Sequence, residues 1–442
     1  MLLPQPLQTC FGALFVCLLI HSPFASADII SDARSNNNDA LKAAIAAKED
    51  VNAKQSDGTT ALHWAVYNGN AELAKALIKA GANVNARESW RGQTALMFAS
   101  AQSQPAMVEL LLKHGAKPDE VSHEEEWERQ VTAEPRPQSR PFGAFTALLF
   151  AAREGCVGCT KALVQHKADI NQVDPNGITP LLMATLNARW DVAAYLIEAG
   201  ADVNRWDTWG RSPLYSTVDY NTVPRGGRPD RPSQDATSPV QVATMLLDKG
   251  ANPNVMLKVF PPYRSLGNDR GGDSMLSSGT TPLLRAAKAA DVAMVELLLK
   301  RGALPDLKNW QGYTPFMAVA GLGTNNVDIR GRFRDEKNGI AVAKMLIAAG
   351  VNMNATEDQG RRAIHGAVLQ GWGEFIKFMV QNGADLNAED KFGNSALDYA
   401  MGRISGGLRQ PVSANNPTVP VLLELGAKAG SAQNRSPAKP QQ

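Results

Sequence analysis

The chain has 442 residues, 44% of them hydrophobic and 20% charged, with a formal net charge of +2. The length exceeds what one compact core holds and predicts several domains or an extended array. The composition excludes a disordered chain, and the charge balance excludes a global pull towards nucleic acid or acidic lipid.

The N-terminal segment predicts a secretory signal peptide over residues 1–27. Cys10 to Ile20 is an unbroken apolar run, and the small residues Ala25 and Ala27 precede a cut before Asp28. The run is too short to span a bilayer comfortably. The leader carries no Lys or Arg before this run, so an uncleaved anchor is the competing reading. No later apolar run is long enough to cross a membrane, which leaves a mature chain in the periplasm or outside the cell. Of the four cysteines, only Cys156 and Cys159 then remain, facing an oxidising compartment.

From Gly58 onward the sequence repeats. Thr60, Thr94, Thr146, Thr179, Ser212, Thr281, Thr314, Arg362 and Ser395 occupy equivalent points, and four of the steps between them are 33 residues. A fixed period of this size marks a solenoid. At each point a Thr or Ser is placed to cap a helix. Pro180, Pro213, Pro282 and Pro315 follow at the first helical position, where a missing N–H costs little. An Ala-rich first helix leads to a second helix richer in Leu, Ile, Val and Met. That helix ends at a Gly such as Gly81, Gly115 or Gly200, and an Asn or Asp stands four residues later, as at Asn85, Asp119 and Asn204. Lys48 and Lys167 hold the Gly position in two units, which predicts mild strain at those helix ends.

The stretches TALHWA (60–65), TPLLRAA (281–287) and GADLNAED (383–390) resemble the signatures of the ankyrin repeat family. The resemblance implies an all-α repeat solenoid: helix–turn–helix units with projecting β-hairpin fingers, about nine repeats plus an N-terminal cap. It places the cap at 28–56, the array at 57–427 and a disordered tail at 428–442. End units must cover the apolar face that inner units share.

Five insertions break the period, at 121–140, 221–238, 255–278, 323–338 and 402–418. Loops of this length are usually functional or disordered. Four of them mix Arg with Gly, Pro and Asp, and Arg225, Arg228, Arg264, Arg270 and Arg332 lie in them. These guanidinium groups either pair with the loops' own aspartates or meet a ligand; as ligand contacts they suit carboxylates, phosphates and aromatic faces. The first insertion is acidic, SHEEEWERQ, and reads as a solvated loop; His123 lacks the second His that a metal site would need.

Aromatic residues recur at finger tips: Trp90, Phe142, Trp206, Trp209, Trp310 and Phe392. They serve either as struts between fingers or as interface anchors. First helices add Tyr67, Asn68, Arg153, Glu154, Asn187 and Lys288 as candidate contacts.

Cys156 and Cys159 form a Cys-x-x-Cys, but no βαβ pattern surrounds it, Thr160 stands where haem attachment needs His, and two Cys cannot complete a zinc site. A disulfide across the inter-helix turn and two buried thiols both remain open. His63 and His365 hold the position of the family's structural histidine, which the resemblance implies bridges backbone groups between repeats. Phosphate-loop, nucleophile-elbow and zinc-protease motifs are absent from the sequence, and GLGTNN at Gly321 fails as a dinucleotide fingerprint.

The sequence therefore predicts a monomeric, exported scaffold that binds another protein, without catalysis, cofactor or nucleic acid. The chain is similar to exported bacterial ankyrin-repeat proteins, which implies a periplasmic interaction module. The alternative is a small-ligand or glycan receptor built from the Arg/Gly/Pro-rich insertions.

Overall fold

The computed structural model describes residues 28–129, 138–222, 234–258, 278–323, 333–405 and 416–432. The described residues begin with two helices, α1 (Ile29–Arg34) and α2 (Asn38–Ala46). The next three units pair α3 (Ala61–Tyr67) with α4 (Ala71–Lys79), α5 (Ala95–Ala101) with α6 (Pro105–Lys113), and α7 (Ala147–Glu154) with α8 (Val157–Gln165). Then come α9 (Pro180–Leu186) with α10 (Trp190–Glu198), α11 (Pro213–Thr222) with α12 (Pro239–Asp248), and α13 (Pro282–Lys288) with α14 (Val292–Lys300). The last three units pair α15 (Pro315–Val319) with α16 (Glu336–Ala348), α17 (Ala363–Gln370) with α18 (Gly373–Gln381), and α19 (Ala396–Ala400) with α20 (Thr418–Glu424). First helices pack on first helices and second on second along the array, so each unit touches chiefly its neighbours.

Every marker residue begins a first helix. The Thr146 Oγ1 accepts the Leu149 N–H at 3.2 Å, and Ser212 Oγ accepts that of Tyr215 at 3.1 Å. Arg362 has no side-chain acceptor to offer, so its unit is closed from the other direction: His365 Nδ1 accepts the Arg362 N–H at 3.0 Å. His63 does the same for Thr60 at 3.2 Å, and its Nε2 reaches the Gln93 carbonyl of the next unit at 3.3 Å. Both rings are buried, and burial pushes both below the ordinary histidine pKa, so they stay neutral.

Units are also stitched at their outer turns. Asn204 Nδ2 donates to the Gly250 carbonyl at 2.9 Å, and its Oδ1 accepts the Asn252 N–H at 2.8 Å. The same pair of bonds recurs at Asn52, Asn85, Asn254 and Asn354. Lys48 and Lys167 adopt φ of 61° and 66°, the left-handed region expected where Gly is missing.

The buried apolar side chains form two large clusters. One runs from Ile29 to Ala168 and the other from Leu149 to Leu422. They adjoin at the third unit, where Phe145 and Val164 pack against both.

Several sequence boundaries need correction. The acidic insertion is not a loop: β1 (Glu124–Arg129) pairs antiparallel with β2 (Gln138–Gly143), lengthening a finger into a hairpin. The insertion placed at 221–238 starts late, because α11 continues to Thr222, and the one at 323–338 ends early, because α16 begins at Glu336. The segment at 402–418 overlaps the first residue of α20, Thr418. The start of the tail is ordered: the Gly430 N–H donates to Asp398 at 2.7 Å and Ser431 N–H to Glu389 at 2.9 Å. Residues 428–432 thus lie against the last finger, where their backbone N–H groups satisfy acceptors of the last unit that a further unit would otherwise engage. The expected leader at 1–27 and the tail from residue 433 lie outside the described residues.

Candidate binding surface

Six finger tips are folded around one buried acceptor each, which in several of them fixes the backbone of an aromatic residue. Glu88 accepts the N–H groups of Trp90, Arg91 and Gln93 at 2.6, 2.9 and 2.7 Å. Asp207 accepts those of Trp209 and Arg211 at 3.0 and 2.9 Å, and Asp390 that of Phe392 at 2.8 Å. Asp174, Asn309 and Glu357 fill the same role in other fingers. Sequence reasoning missed these six residues, though the signal is present: an Asp, Asn or Glu stands five or six residues before six of the nine markers. Burial raises the pKa of Asp174 even though N–H groups favour its charged form.

The tips themselves are uncovered. Trp90 is 70% exposed, Trp310 66%, and Trp206 47%, while Trp209 is half-buried. Phe142 and Phe392 are exposed to a lesser degree. Cations lie over three of the rings: Arg91 over Trp90 at 4.5 Å, Arg211 over Trp209 at 4.9 Å, and Lys258 Nζ over Trp206 at 3.2 Å. The rings therefore contact their own finger or its neighbour on one side and solvent on the other.

The first helices carry a second strip. Residues four and seven after each marker are one turn apart and share a face. In α3 they are Trp64 and Tyr67, in α5 Phe98 and Ala101, in α7 Phe150 and Arg153. Residues one, two, five and six after the marker, such as Ala61, Leu62, Ala65 and Val66, are buried in the core, so the strip lies on the free side. Tyr67 is 53% exposed and meets Trp64 edge to face at 5.7 Å. Arg153 is half-buried, pairs with Glu154 at 2.8 Å, and lies 5.1 Å from the Phe150 ring.

Further along, the same two positions are mostly closed. Met183, Leu186, Ser216, Arg285, Lys288, Ala318 and Tyr399 are all buried. Lys288, expected as a surface contact, is only 2% exposed. Beside it Arg285 pairs with Asp219 at 2.5 Å, and Asn221 donates to Asp291 at 2.6 Å. Asn187 is half-buried and turned back on its own helix, donating to the Met183 carbonyl at 2.8 Å. Asn68 is spent on the cap, donating to the Ala33 carbonyl at 2.9 Å.

Cys156 and Cys159 form a disulfide, with Cα atoms 5.3 Å apart. Gly155 ends α7 at φ 84°, Cys156 caps α8, and the second helix begins at Val157. Both cysteines are buried, Cys159 completely, so the bond clips the turn between two helices. Among the described residues there is no group of three or more His, Cys, Asp or Glu that could hold a metal ion. Among them, too, no helix is long and apolar enough to cross a membrane. Arg225, Arg228, Arg264, Arg270 and Arg332 lie outside the described residues.

Comparison with known proteins agrees with this geometry. A three-copy ankyrin repeat model matches residues 29–122, 130–207 and 336–431, and a single ankyrin repeat model matches 278–310. These matches cover well over half of the chain, which belongs to the ankyrin repeat family. It is 24% identical to the E3 ubiquitin-protein ligase KEG of Arabidopsis thaliana over 79% of its own length and 18% of that protein's. It is 27% identical to the nuclear factor NF-kappa-B p105 subunit of Gallus gallus over 58% of its length and 24% of that protein's. With neurogenic locus notch homolog protein 1 of Danio rerio the identity is 31%, over 34% of this chain and 6% of that one. The chain thus spans less than a third of the length of each of these relatives.

Proposed function

We propose that this protein is a scaffold that binds another protein and performs no chemistry of its own. The observation that supports this most is the row of exposed aromatic residues at finger tips, Trp90, Trp206, Trp310 and Phe392, on a stacked array. Trp at a solvent-exposed, locally rigid position is the residue most enriched at interface hot spots. Buried acceptors such as Glu88 and Asp390 fix the backbone of these tips, so docking costs little ordering entropy. The membership of the family supports a protein partner. Relatives include an E3 ubiquitin-protein ligase and palmitoyltransferases, but no catalytic constellation stands out in this sequence. The apolar run at Cys10–Ile20 and the small residues before Asp28 support export, and the Cys156–Cys159 disulfide is the form expected in an oxidising compartment. A monomeric mature chain from Asp28 is the working form.

Affinity capture from the envelope fraction of the native host tests the reading. The mature chain is one bait, and a Trp90→Ala/Trp209→Ala/Trp310→Ala chain is the other. A protein held by the first and released by the second supports a finger-borne site. Equal capture by both rules out a finger-borne site, and capture by neither overturns the scaffold reading.

A further inference from the structure

The strip on the first helices is not equivalent along the array. It is open in α3 and α5, where Trp64, Tyr67, Phe98 and Ala101 are all at least partly exposed, and half open in α7, where Arg153 is partly exposed and Phe150 is buried. Beyond α9 other parts of the chain cross it or its ends. Leu322, just after α15, lies so close to Gly366 that a Cβ there would strike its backbone. Arg334 donates to the Lys288 carbonyl, and Asn416 Nδ2 to the Val368 carbonyl at 2.9 Å. The open part coincides with the N-terminal core cluster, Ile29 to Ala168.

The open part also has one sign of charge. Arg34 lies 5.1 Å over Trp64, Arg91 4.5 Å over Trp90, and Arg153 5.1 Å over Phe150. A guanidinium stacked on a ring keeps its edge donors for a planar carboxylate, although Arg153 already gives its Nε–H to Glu154 at 2.8 Å. Helices α3 and α5 carry no carboxylate, the one on α1, Asp32, is buried, and the one on α7, Glu154, is bound by Arg153. Acids on the adjoining fingers are committed: Asp57 to the Thr59 N–H at 2.9 Å, Glu88 to backbone N–H groups, and Glu120 to Arg87 at 3.1 Å. Glu124 and Glu125 stand apart in β1, on the finger side.

We propose that this N-terminal strip, Arg34 to Arg153 with Trp90 above it, docks an extended protein segment that carries carboxylates among apolar side chains. The proposal rests on the scaffold reading above and adds the place and the chemistry of the partner. Arg34 and Arg153 are separated by three helix-to-helix steps of about 8–10 Å each, a span that about eight extended residues cover. Apolar side chains of such a segment meet Tyr67 and Phe98 between the two cations.

The test titrates the mature chain with a fluorescein-labelled random copolymer of Glu and Tyr (4:1) and, separately, of Lys and Tyr (4:1), at low and moderate salt. The Glu–Tyr copolymer is expected to bind at least tenfold tighter. Arg34→Glu/Arg91→Glu/Arg153→Glu should reverse the preference. Lys75→Glu/Lys79→Glu/Lys113→Glu, the same charge change on the second helices, should leave it intact. Should the triple reversal fail to fold by circular dichroism, Arg34→Gln/Arg91→Gln serves instead and should cut Glu–Tyr binding severalfold. Equal binding of both copolymers, or loss of preference in the second-helix variant, overturns the proposal. Capture of a host protein that is indifferent to the Arg34 and Arg91 changes sinks this inference alone, whereas failure of all capture sinks the scaffold reading.

Discussion

Asn85 holds Lys117 of the following unit: the Lys117 N–H donates to Asn85 Oδ1 at 2.9 Å, while Asn85 Nδ2 donates to the adjacent Gly115 carbonyl at 3.0 Å. One amide thus satisfies a donor and an acceptor across a repeat boundary, which only Asn or Gln chemistry does in this geometry. In the next unit the same position is Asp119, which accepts the Asp169 N–H at 2.8 Å but has no donor to return. Asn85→Ala is expected to destabilise the N-terminal cluster by about 1–2 kcal/mol, and Asp119→Asn to stabilise it by about 0.5–1 kcal/mol. Urea unfolding of both variants checks the two signs, and a neutral Asn85→Ala would show the ladder to be ornamental.

Lys167 strains its helix end in the left-handed region at φ 66°. Gly has no Cβ penalty there, against which its extra freedom in the unfolded chain must be set. Lys167→Gly should therefore gain about 0.5–1 kcal/mol, with Lys167→Ala near neutral. A thermal melt that ranks Ala above Gly would contradict the strain.

Much of this was legible from residues. The marker threonines, the Gly-then-Asn spacing and the two Lys exceptions are consequences of local backbone needs, and the chain follows them. The finger acceptors were harder to see because Asp174 and Glu88 look like ordinary surface acids until the fold buries them. The closing of the strip at Lys288 could not be read at all. It depends on Asp219 and Asn221 of the preceding first helix reaching across to Arg285 and Asp291, and on Arg334 arriving from an insertion with no periodic signal.

The two buried histidines set an acid limb. Each has a folded pKa lowered from 6.5, so the unfolded chain binds protons first as pH falls. Stability is complete above pH 6.5, declines as pH falls below it, and levels off under the folded pKa. His63→Asn should be less stable at pH 7.5, since the Thr60 N–H loses its ring acceptor, yet vary less with pH. Chemical unfolding at both pH values reads this directly; a variant with the unchanged pH slope would contradict it.

The two core clusters should respond separately. Leu283, 1% exposed, belongs to the cluster that ends at Leu422. A carboxylate there costs at least about 4 kcal/mol. Leu283→Asp is expected to split urea unfolding into two steps, with amide protection retained from Ile29 to Ala168. A single transition identical to that of the parent chain would count against a stacked array.

Photo-cross-linking in the native host tests the central claim, that the open N-terminal strip is where a partner sits. A benzophenone amino acid replaces Tyr67 in one chain, Trp90 in a second, and Lys75 on the second helix α4 in a third. Irradiation is expected to join a discrete protein to the first two chains and none to the third. Adducts formed equally from Lys75, or from none of the three, would contradict the account.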